Sequence, residues 1–156
     1  MPCRPYIAAD FQALYALEQL CFAPEFRFSR RYMRSLTVAH NAAVWVAEQG
    51  TKLTGFGIVS WARHSGLIVA YIETLEVAPT ERGRGLGQTL LERLENSARL
   101  AGTAVAGLHV DAENLAAIRL YERAGFLCQG QKKNFYPQGR AALIYRKDLV
   151  NPPSLG

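Results

Sequence analysis

The sequence predicts an α/β fold: a mixed, mostly antiparallel central sheet of six to seven strands flanked by about four helices. Three features carry this expectation. Segments of helical periodicity alternate with short β-branched runs. One such run, "LIVAYIETLEV" at 67–77, is apolar enough on both faces to lie in the middle of a sheet. A glycine cluster, "ERGRGLG" at 81–87, then hands that run over to a leucine-patterned segment.

Taken in order, a short strand around Arg4–Ile7 leads into a helix near 9–21, where Ala13, Leu14, Leu17, Leu20 and Cys21 share one face. "RFSRRYMRSL" predicts a second helix with Ser29 as its N-cap. "AVWVAEQGTKLTGFGIVSWA" reads as a hairpin turning at Gly50. Pro79 ends the apolar strand, and Gly85 or Leu86 starts a helix with Leu86, Leu90, Leu91, Leu94 and Ala98 on one face, stopped by Gly102. "TAVAGLHV" is a strand, and Asn114 caps a helix that Gly125 closes. Strands around 126–135 and 141–147 are split by a turn at Pro137–Gly139. The order is β-α-α-β-β-β-α-β-α-β-β.

At 156 residues, 49% hydrophobic and 20% charged, the chain fits one globular domain with a real core, placed at 1–150. NPPSLG, 151–156, is expected to be a disordered tail. No apolar run reaches the roughly 20 residues of a membrane span, and MPCRPYIAAD has no hydrophobic signal segment. Cys3, Cys21 and Cys128 are odd in number and widely spaced, giving neither a disulfide framework nor a zinc pattern. A cytoplasmic protein is expected, without a membrane partner, as monomer or dimer. The net charge of +5 suits an anionic ligand without choosing among them.

The glycine cluster narrows the choice. Gly83, Gly85 and Gly87 leave backbone N–H groups bare at a helix start, where the helix dipole is positive. Arg82 and Arg84 add charge, and the whole suits a diphosphate. The plain alternative is a turn that needs glycine beside solvated arginines. A P-loop would need Lys then Ser or Thr after the last glycine, where Leu86, Gly87 and Gln88 stand instead. A dinucleotide fingerprint would need G-x-G-x-x-G, whereas the spacing here is G-x-G-x-G.

"RGRGLG", Arg82 to Gly87, resembles the R/Q-x-x-G-x-G/A signature of GNAT-superfamily N-acetyltransferases. "LEVAP" before it and "ENLAAIRLYERAGF" one strand later resemble that family's neighbouring strand and second cofactor segment. "LEQLCF" and "NFYPQGRAALIYRKDL" resemble the ribosomal-protein-alanine and related protein N-terminal acetyltransferases. The resemblance covers roughly residues 40–148, and the first 40 less fully.

It implies a GNAT-like sheet and acetyl-CoA as co-substrate, without a metal. Arg82, Gly83, Arg84, Gly85, Leu86, Gly87 and Gln88 would wrap the pyrophosphate. Leu75, Glu76 and Val77 would offer backbone groups to the acetyl and pantetheine portions. The Val77 N–H would meet the developing oxyanion. Asn114 would be a cap, a cofactor contact, or both. Tyr121 matches the tyrosine that protonates the leaving thiolate, against the plain reading of a packed helix residue. Tyr136 resembles an acceptor-side residue covering the first residue of a peptide.

His109 is a departure. The ribosomal-protein-alanine branch has a glutamate base in an L-E-V-R strand, and this chain has "LHVD". Other N-terminal acetyltransferases carry histidine in a similar L-H-V setting, so the base role transfers unless His109 is simply a bonded strand residue. Glu73 and Glu76 are rival bases. Strict alternation in "YIETLEV" puts them on opposite faces, with Glu73 favoured as functional. The Asn114 cap argues against a metal reading of His109, Asp111 and Glu113. A weak histidine base suits an α-amine of pKa about 7.7–8.0 better than a lysine near 10.4.

Arg27, Arg30, Arg31 and Arg34 recur at helical spacing with Phe26, Phe28 and Tyr32 between them. They form a solvated face, a nucleic-acid surface, or the border of an acceptor groove. The expected activity is acetyl transfer to a primary amine, first of all a protein N-terminus, those of ribosomal proteins included. An open groove would favour a peptide, whereas a closed acidic pocket would favour a small amine such as a polyamine, amino acid or aminoglycoside. A non-catalytic acyl-CoA or nucleic-acid-binding module is the third reading. Direct nucleic-acid binding is not expected.

Overall fold

A computed structural model describes residues 2–149, except for the side chain of Gln138. The expected tail at 151–156 lies outside the described residues. The elements are β1 (Cys3–Pro5), α1 (Phe11–Cys21), α2 (Arg30–Val38), β2 (Ala42–Gln49), β3 (Lys52–His64) and β4 (Leu67–Val77). After the glycine loop come α3 (Leu86–Leu100), β5 (Val105–Asp111), α4 (Leu115–Arg123), β6 (Leu127–Lys132) and β7 (Ala142–Asp148). Their order is the one the sequence predicts. Ser29 caps α2 through its hydroxyl, which accepts from the Tyr32 N–H, and Asn114 caps α4 by accepting from the Ala117 N–H. None of the described helices is long and apolar enough to cross a membrane.

The seven strands run β1-β2-β3-β4-β5-β7-β6, with β4 in the centre as its composition predicts. Neighbours are antiparallel except β4 and β5. One face carries α3 and α4 over a core of Val59, Ile72, Leu91, Leu94, Leu108 and Phe126. The other carries α1 and α2 over Phe11, Leu14, Met33, Phe56 and Ile58. The leucine stripe of α3 is buried throughout, which is why so leucine-rich a helix stays in place.

Two irregularities of β4 make the site. First, Val59 pairs with Ile72 while Ile58 pairs with Thr74, so Glu73 is an extra, unopposed residue. Such a bulge reverses the alternation beyond it. The expectation that Glu73 and Glu76 face opposite ways is therefore corrected. Glu73 meets Tyr32 of α2 and Glu76 meets Glu18 of α1, both on the α1/α2 side. Second, β4 pairs with β5 only at Val69–Val105, Ala70–Ala106 and Tyr71–Gly107. Past Tyr71 the ladder stops and a cavity opens between the strands.

Candidate active site

The opening has two chambers. On the α1/α2 side a cavity of about 650 Å³ is lined by Phe28, Tyr32, Tyr71, Glu73, His109, Tyr121, Phe135 and Tyr136, among others. On the α3/α4 side a groove of about 480 Å³ runs along Leu75, Glu76 and Val77 to the glycine loop. Leu75, Cys21, Phe22, Asn114 and Ala117 border both, so the chambers meet at the strand split.

In the groove, Gly83 and Gly85 sit at φ +82° and +79°, conformations that side-chain-bearing residues rarely adopt. Gly87 is needed for closeness instead: a Cβ there would come within 3.2 Å of Leu120 Cδ2, where α3 packs on α4. Leu86 and Gln88 line the groove at the start of α3. The Arg82 Nε–H donates to Val77 O at 3.0 Å, which ties the loop to β4. Arg84 reaches Glu81 at 3.3 Å and does not line the groove. Arg119 and Arg123, one turn apart on α4, do line it. Sequence reasoning missed both, although their i,i+4 spacing in "RLYER" was a visible sign. Unpaired helix N–H groups and arginines on both walls fit a diphosphate.

In the larger cavity, His109 Nδ1 lies 2.9 Å from the Tyr71 hydroxyl, and its ring stacks on Phe135 with centroids 4.7 Å apart. Burial and the Lys132 ammonium hold the imidazole below its ordinary 6.5, so it is neutral, and a base, at neutral pH. Burial, with help from the Glu73 charge, pushes the Tyr71 phenol up to about 12. Tyr71 was not singled out from the sequence. It is 38 positions from His109, and only the β4/β5 register brings them together.

Tyr121 is 7% exposed, its ring edge on Phe126, and burial raises its phenol so that it stays protonated. Its hydroxyl makes no hydrogen bond among the described residues and the residue borders the cavity, an arrangement suited to a proton donor. Tyr136 closes the far side, edge-on to Phe26 and Phe135. Asp111 and Glu113 both go to Arg140, at 2.8 and 3.0 Å, rather than joining His109.

Beneath the split lies a buried carboxyl pair. Glu18 Oε2 accepts from the Phe28 N–H at 2.8 Å, and Glu76 Oε2 accepts from the Thr74 hydroxyl at 2.7 Å. The two remaining oxygens, Glu18 Oε1 and Glu76 Oε1, are buried without a hydrogen-bond partner, and the two carboxyls adjoin. One proton shared between them would satisfy both. Burial, then the adjoining Glu18 carboxyl, raises Glu76 well above the ordinary 4.5. The side chain of Glu76 is thus a strut to α1 and not a base.

The basic stretch is largely occupied with structure. Arg34 lies over the Phe11 ring at 3.6 Å and Arg30 over it at 5.1 Å. Arg27 donates to the carbonyls of Phe22 and Gln19.

A family model described as the acetyltransferase (GNAT) family matches residues 11–126. N-alpha-acetyltransferase RimI of Mycobacterium tuberculosis is 32% identical over 122 residues, 78% of this chain and 75% of its own length. Streptothricin acetyltransferase of Streptomyces lavendulae is 37% identical over 90 residues, 58% of this chain and 46% of its own. The crystal structure of the ribosomal-protein-S18-alanine N-acetyltransferase from Escherichia coli superposes with a TM-score of 0.84 at 27% identity, over 99% of this chain and 98% of that one.

Proposed function

The chain belongs to the GNAT family of acetyltransferases, which use acetyl-CoA, and from that premise we propose that it acetylates the α-amine of a protein N-terminus. The contact that carries this reading is Tyr71 to His109 at 2.9 Å, beside the split in the strands. A neutral imidazole held below 6.5 is too weak to strip a lysine ammonium but adequate for an α-amine. That relatives over most of this length act on protein N-termini supports the same acceptor.

In this reading the thioester enters from the α3/α4 side and the amine from the α1/α2 side. His109, oriented by Tyr71, takes the proton of the attacking amine. The Val77 N–H faces the carbonyl oxygen as charge builds on it. When the C–S bond breaks, Tyr121 gives its proton to the departing thiolate. Arg82, Arg119 and Arg123 hold the diphosphate and carry no part of the chemistry.

The test is acetyl-CoA-dependent labelling read by mass spectrometry. It covers peptides with varied first residues, one with the N-terminus of ribosomal protein S18, peptides with internal lysines, and small amines. Labelling confined to peptide N-termini is expected, and labelling of lysines alone would overturn the reading. A second reading, a small cationic amine as acceptor, draws on the carboxylates around the cavity and on the likeness to the streptothricin enzyme. Labelling of small amines alone would select it.

A further inference from the structure

The acceptor cavity has a charge opposite to that of the whole protein. The chain carries +5, yet the cavity borders Glu18, Glu73, Asp111 and Glu113 against a single cation, Arg140. Arg140 is taken by Asp111 and Glu113. Glu18 is buried, 1% exposed, and accepts from the Phe28 N–H. Glu73 is left. Its carboxylate accepts from the Tyr32 hydroxyl at 3.0 Å and the Ser60 hydroxyl at 2.6 Å, and among the described residues no basic side chain pairs with it.

Hydroxyl donors hold a carboxylate in place without cancelling its charge. Glu73 follows Tyr71 onto the cavity side by ordinary strand alternation, and the bulge beyond it brings Glu76 round to the same side. Phe28, Tyr32 and Tyr71 border the same space, with ring faces that also favour a cation. Burial first, and the Glu73 charge second, push the Tyr32 and Tyr71 phenols up to about 12, so both remain neutral donors. Against one guanidinium the cavity therefore keeps a net negative charge, and Glu73 is the carboxylate that stands among aromatics without an ion pair, on the side where the acceptor enters. That charge is badly matched to the attacked amine itself, because a neighbouring carboxylate favours the ammonium form, which cannot attack. It is well matched to a second cation on the same acceptor.

We propose that Glu73 is a specificity residue that binds a protonated nitrogen beyond the amine being acetylated, so that the preferred acceptor is a protein N-terminus with Lys or Arg among its first two residues. The inference rests on the acceptor entering from the α1/α2 side, as in the reading above. The same chemistry is offered by the second ammonium of a diamine or polyamine, and the test separates the two sources.

Steady-state kinetics would compare matched peptides beginning with Lys, norleucine and Glu, together with spermidine and a monoamine of similar length. The wild type is expected to favour the basic partner of each matched set. Glu73→Gln keeps size and hydrogen bonding but removes the charge. It should raise KM for basic acceptors roughly tenfold, in line with a charge-assisted bond at a part-exposed site. It should leave kcat, the neutral acceptors and the dissociation constant of acetyl-CoA nearly unchanged. Glu73→Lys should turn the preference toward the peptide beginning with Glu. A Glu73→Gln variant that loses kcat equally on every acceptor would make Glu73 part of the proton relay and overturn the proposal. A wild type indifferent to the first residues would overturn it as well. Preference for spermidine with no peptide labelled would keep the cation site and defeat the peptide reading instead.

Discussion

The groove and the cavity meet at Leu75, but they are made of different material. The groove is mostly backbone and fixed charge: glycines at φ +82° and +79°, the open end of α3, and arginines of the loop and of α4. Its elements are nearly contiguous, from Leu75 to Gln88, with one further wall from α4. The cavity is side chains from separate segments: Phe28 before α2 and Tyr32 on it, Tyr71 and Glu73 on β4, His109 on β5, Tyr121 on α4, and Phe135 and Tyr136 before β7. A ligand shared by a whole family can be held by peptide groups that any sequence supplies. A distinctive acceptor has to be met by side chains, and those are assembled from afar.

If that division is right, substitutions in the two chambers should damage different kinetic constants. The largest effect belongs to the chemical step. Tyr121→Phe should cut kcat by roughly 10²–10⁴ while leaving the KM for acetyl-CoA nearly alone. Unchanged turnover in steady-state assays would remove Tyr121 from proton donation. On the same wall, the wild-type rate should decline on the acid side, because His109 is a base only when neutral. Its imidazole is held below 6.5, so the fall begins below that pH as protonation removes the base.

A smaller effect is expected in the groove. Gly85→Ala adds a methyl group that meets nothing within 4 Å, at a φ that costs a side-chain-bearing residue about 1–2 kcal/mol. If the loop relaxes to relieve that strain, acetyl-CoA affinity should weaken about tenfold with kcat held. Gly50→Ala, at φ +62° in the distant hairpin turn and equally uncrowded, is the control. An affinity loss of the same size in that variant, measured by calorimetry, would show that the loop conformation itself is not what binds.

The smallest effect concerns the strut beneath both chambers. Glu76 binds its proton more tightly folded than unfolded, so the stability it contributes is complete below about 4.5 and is lost as pH rises toward its raised value. The melting temperature should therefore slope downward from about pH 5 into the neutral range. Glu76→Gln, which carries the hydrogen permanently, should flatten that slope by a few degrees. A slope identical in the two proteins would take the shared proton away from Glu76.

How much of this was legible follows from the same division. Helix caps, glycine stops and the leucine stripe of α3 are local features, and every element came out in its predicted order. The glycine loop was readable for the same reason, as residues that act together stand together. The bulge was not, because an alternating run carries no mark of its extra residue, and so Glu73 and Glu76 were assigned to opposite faces. Tyr71 with His109, and Glu18 with Glu76, are separated by 38 and 58 positions in the chain. Only the sheet order and the packing of α1 on β4 join them. Arg119 and Arg123 were readable as spacing but had no direction until α4 was seated beside α3.

The seam between β4 and β5 has a mechanical consequence. The two halves of the sheet are joined by three rungs, and in the proposed reading the slot for the acetyl group is the place where the ladder is left unfinished. In the proposed reading, a coenzyme bonded to the free edge of β4 and braced by α4 would supply rungs the protein does not make, so occupancy and rigidity would rise together. Extending the ladder past Tyr71 would give a tougher protein with nowhere to put its thioester. A seam stiffened there would close the site that the proposed reaction uses.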